Sequence, residues 1–441
     1  VSDRPSLRVA YFGTYDRAGG RNAVLIDGLR AVGVEVLECH TAVWPGTAEK
    51  LAATRQGRQL GRVPLRQLLA WARLLRRHAG LGPYDLLLVG STAHLDLPLA
   101  HWLARRAGRP LVFDPLVSLG ETIRDRRLLA AGSRRLQAIG RLERALFALP
   151  DLVLADTRVH ATAWAAELGL DLRRAAILPA GAPALYRRLA RPYPEAGTAG
   201  LRVVYFGQYI PLHGVETVLE AAARLRHHPE LRFELVGVGQ DLPAARALAA
   251  RLELTQVHFT PRWLPPDRLA REHIAPADLC LGIFGTQPKA SRVVPCKLYA
   301  GLASGRPVVT ALTPAVAEQL APEQEVWTVP PGDPEALTHA ILLLARNPAL
   351  RARLAAAGQA AYDARFAPSV LGADLRELLL ALSAAHADPR RRHTSPGAAT
   401  SHTTHDLPPA HGADRRPPTP HLRPHPPPSK IQDPKSKIPP A

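Results

Sequence analysis

Two loops, one in each half of the chain, carry residue types suited to holding an anion. The first is Gly13-Thr14-Tyr15-Asp16-Arg17-Ala18-Gly19-Gly20-Arg21-Asn22, and the second is Gly207-Gln208-Tyr209-Ile210-Pro211-Leu212-His213-Gly214. Glycine lets a ligand approach the backbone amides closely, and amides at a helix start favour negative charge. Arg17 and Arg21 add positive charge to the first loop, and His213 sets an imidazole beside the amides of the second. The first loop also reads as a plain tight turn and lacks the GxGxxG spacing of an ordinary dinucleotide site, and in the second a lone His is by itself a weak signal. A third stretch, residues 284–309, holds Lys289, Arg292 and Lys297 between a strand and an Ala/Leu/Gly helix. Cations in a loop aimed at a cleft suit the charge that develops on a departing diphosphate. Glu318, just beyond the next strand, is either an acceptor for ribose hydroxyls or a surface acid.

Such loops need strands and helices to hold them. Residues 7–15 (LRVAYFGTY) and 201–209 (LRVVYFGQY) agree at seven of nine positions, 194 residues apart. Each reads as a buried parallel strand entering a loop, and a helical pattern follows each, at 23–32 and 215–225. Further strands are expected at 34–37, 85–89, 110–113 and 151–155, then at 232–236, 257–260, 278–283, 307–310 and 326–329. Strands alternating with helices predict parallel sheets covered on both faces. The expected fold is therefore α/β, with two doubly wound, Rossmann-like domains facing across a cleft. The first domain is expected at 1–190, a Pro/Gly-rich linker at 191–200, and the second domain at 201–387, closed by helices at 334–346, 349–366 and 369–385. The stretch 388–441 holds 14 of the 43 prolines, six histidines and few large apolar side chains, which predicts a disordered tail.

Composition narrows the partners. With 441 residues, 46% of them hydrophobic, the chain can build large cores, so neither a disordered protein nor a small disulfide-held one fits. The net charge of +18 calls for an anionic partner. No aromatic stacking patch or base-reading motif accompanies it, so no specific nucleic acid is expected. Three cysteines, Cys39, Cys280 and Cys296, form no CxxC, which points to a reducing compartment and away from structural zinc. No metal site is expected. The absence of an apolar stretch in residues 1–10, and of any run of 18 apolar residues, points to a cytoplasmic protein. From Lys50 to Tyr84 there are eight Lys/Arg and no acid, with Leu65, Leu68, Leu69, Ala72 and Leu75 in a helical stripe beside Arg66, Arg73, Arg76 and Arg77. That is either a basic face laid on anionic lipid, at the inner side of the plasma membrane, or a solvated helix.

The motifs taken together resemble the retaining GT-B glycosyltransferases of the group 1, or family 4, type. The resemblance spans roughly 7–380 and rests on FGTYDR…GGRN, Phe206–Gly214 leading into a helix, VGVGQ at 236–240, KLYAGLASGRPVV at 297–309 and PPGDPEAL at 330–337. It implies a hexosyl transfer from a nucleotide-diphosphate sugar, which is a substrate, to a hydroxyl acceptor (glycan, lipid-linked or small molecule), with no cofactor. The donor diphosphate would lie near Gly207, Gln208, His213, Gly214 and Lys289, and the nucleotide near Gly237, Gly239 and Glu318. The acceptor would lie near Gly13, Arg17, Gly19, Gly20, Arg21 and Asn22. Lys297 and Arg292 would ease departure of the diphosphate, and His94 would touch the donor sugar. The sequence departs from the family where an Arg and a Lys commonly meet the diphosphate, since Gln208 and His213 stand there, and where two Glu eight residues apart are common, since Arg292 and Ala300 stand there. The resemblance with these departures implies either takeover of the phosphate role by Lys289, Arg292 and Lys297 or an impaired enzyme. A nucleotide-sugar epimerase on the same fold, and a non-catalytic nucleotide-sugar or polyanion binder, are the rival readings. No Asp-x-Asp occurs, in keeping with a mechanism that needs no metal.

Overall fold

The computed structural model describes residues 7–17, 20–42, 63–130, 132–193 and 200–388. The expected tail therefore lies outside the described residues from 389 onward, as do Gly19 and most of the linker. Two six-stranded sheets form the framework. The first contains β1 (Arg8–Gly13), β2 (Glu35–His40), β3 (Leu86–Val89), β4 (Leu111–Phe113), β5 (Leu152–Ala155) and β6 (Ala175–Ile177), in the order β2-β1-β3-β4-β5-β6. The second contains β7 (Leu201–Phe206), β8 (Leu231–Val236), β9 (Val257–Thr260), β10 (Leu279–Leu281), β11 (Val308–Ala311) and β12 (Trp327–Val329), in the order β12-β11-β10-β7-β8-β9. All paired strands run parallel, as continuous apolar runs buried on both faces require.

The helices covering these sheets include α1 (Gly20–Ala31), α2 (Val63–Ala79), α3 (Leu119–Asp125), α4 (Arg158–Leu168), α5 (Val215–Arg224), α6 (Cys296–Ala303), α7 (Pro314–Gln319) and α8 (Pro368–Ala387). In an open α/β sheet the binding crevice opens where the strand order reverses, beyond the carboxyl ends of the strands. In the second sheet that point lies between β7 and β10, and in the first between β1 and β3. The loops singled out by their glycines and cations leave β1, β7 and β10, so both switch points coincide with them.

One element departs from the expected division. Helix α8, at the end of the stretch assigned to the second domain, packs on α1, and its Leu371, Leu375, Leu379 and Leu382 sit in the core of the first half. Gly28 and Gly372 make the crossing a backbone contact. A Cβ on either would overlap main-chain atoms of the other helix.

Candidate active site

The second-half loops are built around close backbone contact. Gly207 and Gly237, with φ of +132° and +137°, end β7 and β8, and a Cβ on Gly237 would overlap the carbonyl oxygen of Gly207. Gly214, at φ +59°, precedes α5 and lies against the backbone of Phe284 and Gly285, so the loops after β7 and β10 touch there. Beneath them lies Lys297. Its Nζ sits 3.9 Å from the centre of the Tyr205 ring, 3.3 Å from the Gly282 carbonyl oxygen and 3.3 Å from Nδ1 of His213. The Tyr205 hydroxyl is 2.8 Å from the same Nδ1 and donates to the Gln208 carbonyl at 2.7 Å. Burial pushes Lys297 well below the usual lysine range, and burial with the nearby Lys297 amine pushes His213 well down too. No carboxylate forms an ion pair with Lys297 among the described residues.

The remaining cations point across to the first half. Lys289, nearly inaccessible, donates to Thr122 Oγ1 at 3.1 Å. Its pKa is lowered by burial, against the pull of Glu121 and Asp125. Arg292 pairs with Glu121 at 3.0 Å and Glu167 at 2.7 Å, and its carbonyl accepts from the Thr157 hydroxyl at 2.6 Å. Gln208 accepts from Arg126 at 2.9 Å, and Gln240 donates to the Arg126 carbonyl at 3.2 Å. Glu318 accepts from the amides of Arg158 and Val159, at 2.8 and 3.3 Å, and so caps α4 from the opposite half. That is a use of the carboxylate different from the expected ribose contact. The N-terminus of α1 comes up against that of α6, since a Cβ on Gly20 would lie 3.8 Å from Cys296 Sγ. Two positive helix ends therefore converge there.

Several residues of the first loop are held within their own half. Arg21, buried, pairs with Asp114 at 3.0 Å and donates to the carbonyls of Leu178 and Pro179. Asn22 accepts from Tyr11 and from the Ser91 amide and donates to the Asp16 carbonyl. Arg17 pairs with Glu38 at 2.8 Å. Gly13 lies against Ala93 and Asp96, and Asp96 accepts from Thr14, Gln67 and Trp71. His94 donates to the Val117 carbonyl at 2.8 Å and stacks edge-on with Phe113, near Phe147 and Glu143. These contacts tie Arg21, Asn22 and His94 to the first half of the chain.

The principal group missed from the sequence is the polar face of α3 and the start of α4. Ser118 caps α3 by accepting from the Glu121 amide. This turns Glu121, Thr122, Asp125 and Arg126 toward the second-half loops. Glu121 lies 3.2 Å from Nε2 of His160, whose Nδ1 is 2.6 Å from Asp156. Burial alone would lower the His160 pKa, but the two carboxylates outweigh it and raise it to about 9, so an imidazolium is held between them. Ser118-x-x-Glu121 is a capping-box spacing that could have located α3, but nothing local marks its face as part of the cleft. A cavity of about 790 Å³ lined by Arg191, Arg202, Arg232 and Arg306 opens at the amino ends of β7 and β8, away from these loops. It plays no part in the site.

Residues 200–347 match the family model of glycosyl transferases group 1. No curated protein matches the chain by sequence. Solved structures match the fold over most of its length. The Anabaena protein HepE, in complex with UDP-glucose, is 19% identical with a TM-score of 0.62, covering 85% of this chain and 99% of its own. Sucrose-phosphate synthase from Thermosynechococcus elongatus is 17% identical with a TM-score of 0.63, covering 86% and 100%. The lipopolysaccharide outer core galactosyltransferase WaaB is 12% identical with a TM-score of 0.55, covering 84% and 98%. With this two-sheet framework throughout the described residues, the chain has the GT-B fold, and its residues 200–347 match the group 1 glycosyltransferases.

Proposed function

We propose that the chain moves a hexosyl-type residue from a nucleotide-diphosphate sugar to a hydroxyl acceptor, keeping the anomeric configuration and using no metal or other cofactor. The observation that carries this reading is the buried amine of Lys297 at the β7/β10 switch point, with the buried Lys289 on the loop after β10 and no carboxylate paired to Lys297 among the described residues. A desolvated amine gains most when an anion arrives, because each then offsets the other's loss of water. As the sugar–phosphate bond breaks, charge gathers on the diphosphate, and Lys297, Lys289 and the amides of Gly207–Gly214 oppose it without having to reorganise. HepE, of the same fold, is seen with UDP-glucose, which supports a donor of this class. Transfer of labelled sugar from a panel of UDP-, GDP- and ADP-sugars, with and without EDTA, tests the reading. Turnover is expected in both arms for at least one donor. No turnover together with no nucleotide binding by calorimetry would remove it.

We further propose a lipid-linked acceptor reached from the anionic inner face of a membrane. Helix α2 leaves Leu65, Leu68, Leu69 and Leu75 exposed at 62%, 59%, 50% and 39%, beside the exposed Arg73 and Arg76, while Ala70 and Leu74 face the core. Leucines and arginines sharing the outer side suit a surface that is both apolar and anionic. No helix among the described residues is long and apolar enough to cross a membrane. Co-sedimentation with phosphatidylglycerol vesicles, and not with phosphatidylcholine ones, is expected. It should be lost when Leu65, Leu68 and Leu69 become serine, and retention by that variant would sink the idea.

A further inference from the structure

Among the described residues, the polar face of α3 with Arg126 at its end meets all three second-half loops described above. Thr122 reaches Lys289 and Arg126 reaches Gln208 and Gln240, while Glu121 reaches Arg292. Asp125, on the same face, behaves differently. It is 8% exposed, and its Oδ1 is buried with no hydrogen-bond partner. Lys289, Arg126, Glu121 and Asp241 are the charged groups around it. A buried carboxylate oxygen without a donor is costly to keep, so it persists where something else supplies one. The neighbouring groups fix what that could be. The diphosphate would be drawn to the cations of the second-half loops, and a carboxylate among them repels phosphate oxygens. An uncharged group rich in O–H donors suits the position, and the sugar of a nucleotide-sugar is such a group.

We infer that Asp125 is a specificity-determining residue that accepts a hydrogen bond from a hydroxyl of the transferred sugar when the donor occupies the cleft. This inference rests on the reading of the chain as a nucleotide-sugar enzyme. The sugar would enter as the Lys289–Thr122 and Arg126–Gln208 hydrogen bonds part, and these are single contacts with ligand-facing partners on the second-half side. Because Asp125 reads the sugar and not the nucleotide, its removal separates the two.

The test is calorimetric titration of the full chain, its Asp125→Ala form and its Asp125→Asn form. The ligands are UDP and UDP-glucose, GDP and GDP-mannose, and ADP and ADP-glucose, with thermal melts to show that the variants fold. For the pair that the unaltered chain binds, Asp125→Ala is expected to weaken the nucleotide-sugar by about tenfold or more, the range for hydrogen bonds to a charged acceptor. The bare nucleotide should shift by less than about twofold. Asp125→Asn, which keeps the shape and one acceptor oxygen, should fall between. If the nucleotide and its sugar form weaken equally, or neither does, Asp125 does not read the sugar. If the unaltered chain binds none of the six, the underlying functional reading fails and this inference with it.

Discussion

A buried titratable side chain is sensitive to pH in a direction its partners set, and two such groups give direct tests. His160 is held charged by Asp156 and Glu121, with its pKa raised to about 9 against an ordinary 6.5. A group raised on folding stabilises fully below its unfolded pKa and loses that contribution as pH climbs through the folded one. Urea unfolding should therefore show stability falling by roughly 3 kcal/mol between pH 6.5 and 9.5, and His160→Gln should flatten that slope. Lys297 works in the opposite sense, being lowered by burial. An arriving diphosphate would raise it again, so nucleotide binding should take up a proton at a pH between the lowered and the raised value. Calorimetry in two buffers of different ionisation heat reads this directly. In Lys297→Met the uptake should shrink, leaving only what His213 takes up, and transfer should fall by about a hundredfold, as on losing one charge-stabilising donor. Neither residue's setting was legible in the sequence to the same degree. Lys297 stood out among the cations between a strand and a small-residue helix, although the structure puts it in the first turn of that helix, α6, and not in the loop. His160 did not, because its partners Asp156 and Glu121 come from different elements and Glu121 lies 39 residues away. The pairing of Arg21 was hidden for the same reason. Its place in a Gly-rich loop suggests a ligand, whereas Asp114, far along the chain, claims it.

At the scale of elements, the sequence was most readable where a strand ran into a glycine. β1 ends at Gly13 and β7 runs into Gly207, as the repeated nonapeptide implies. Every expected strand is present, with ends shifted by a few residues. β6 escaped, since Ala175-Ala176-Ile177 is three residues of small or single apolar character with no alternation to detect. Caps that come from another part of the chain are equally invisible. Glu318, on α7, serves the N-terminus of α4, whose own Thr157 also accepts from the His160 amide. Glu318→Ala should cost about 1 kcal/mol in chemical unfolding, the usual worth of a helix cap, and less at high salt. A change below about 0.3 kcal/mol would show that water replaces the carboxylate without penalty.

At the scale of the whole molecule, the two halves are joined by polar contacts whose second-half partners are the groups proposed to serve the donor. Arg292 answers to Glu121 and Glu167, Lys289 to Thr122, and Gln208 to Arg126. On that proposal, donor and first half compete for the same groups. Replacing Glu121 and Glu167 together by glutamine should loosen the cleft, seen as a larger radius of gyration in X-ray scattering without nucleotide. An unchanged radius would show that the apolar contacts alone keep it shut. The last helix adds a different tie. Because Leu371, Leu375, Leu379 and Leu382 complete the first core, the chain's second sheet is in effect an insertion between two parts of one hydrophobic unit. A ribosome must therefore deliver residue 382 before the earliest strands can finish burying their apolar surface, whereas the later sheet has all of its strands by residue 329. Cutting the gene before α8 should thus spoil the half that was made first. Until α8 has been made, the nascent amino-terminal part is the one that needs a chaperone's cover.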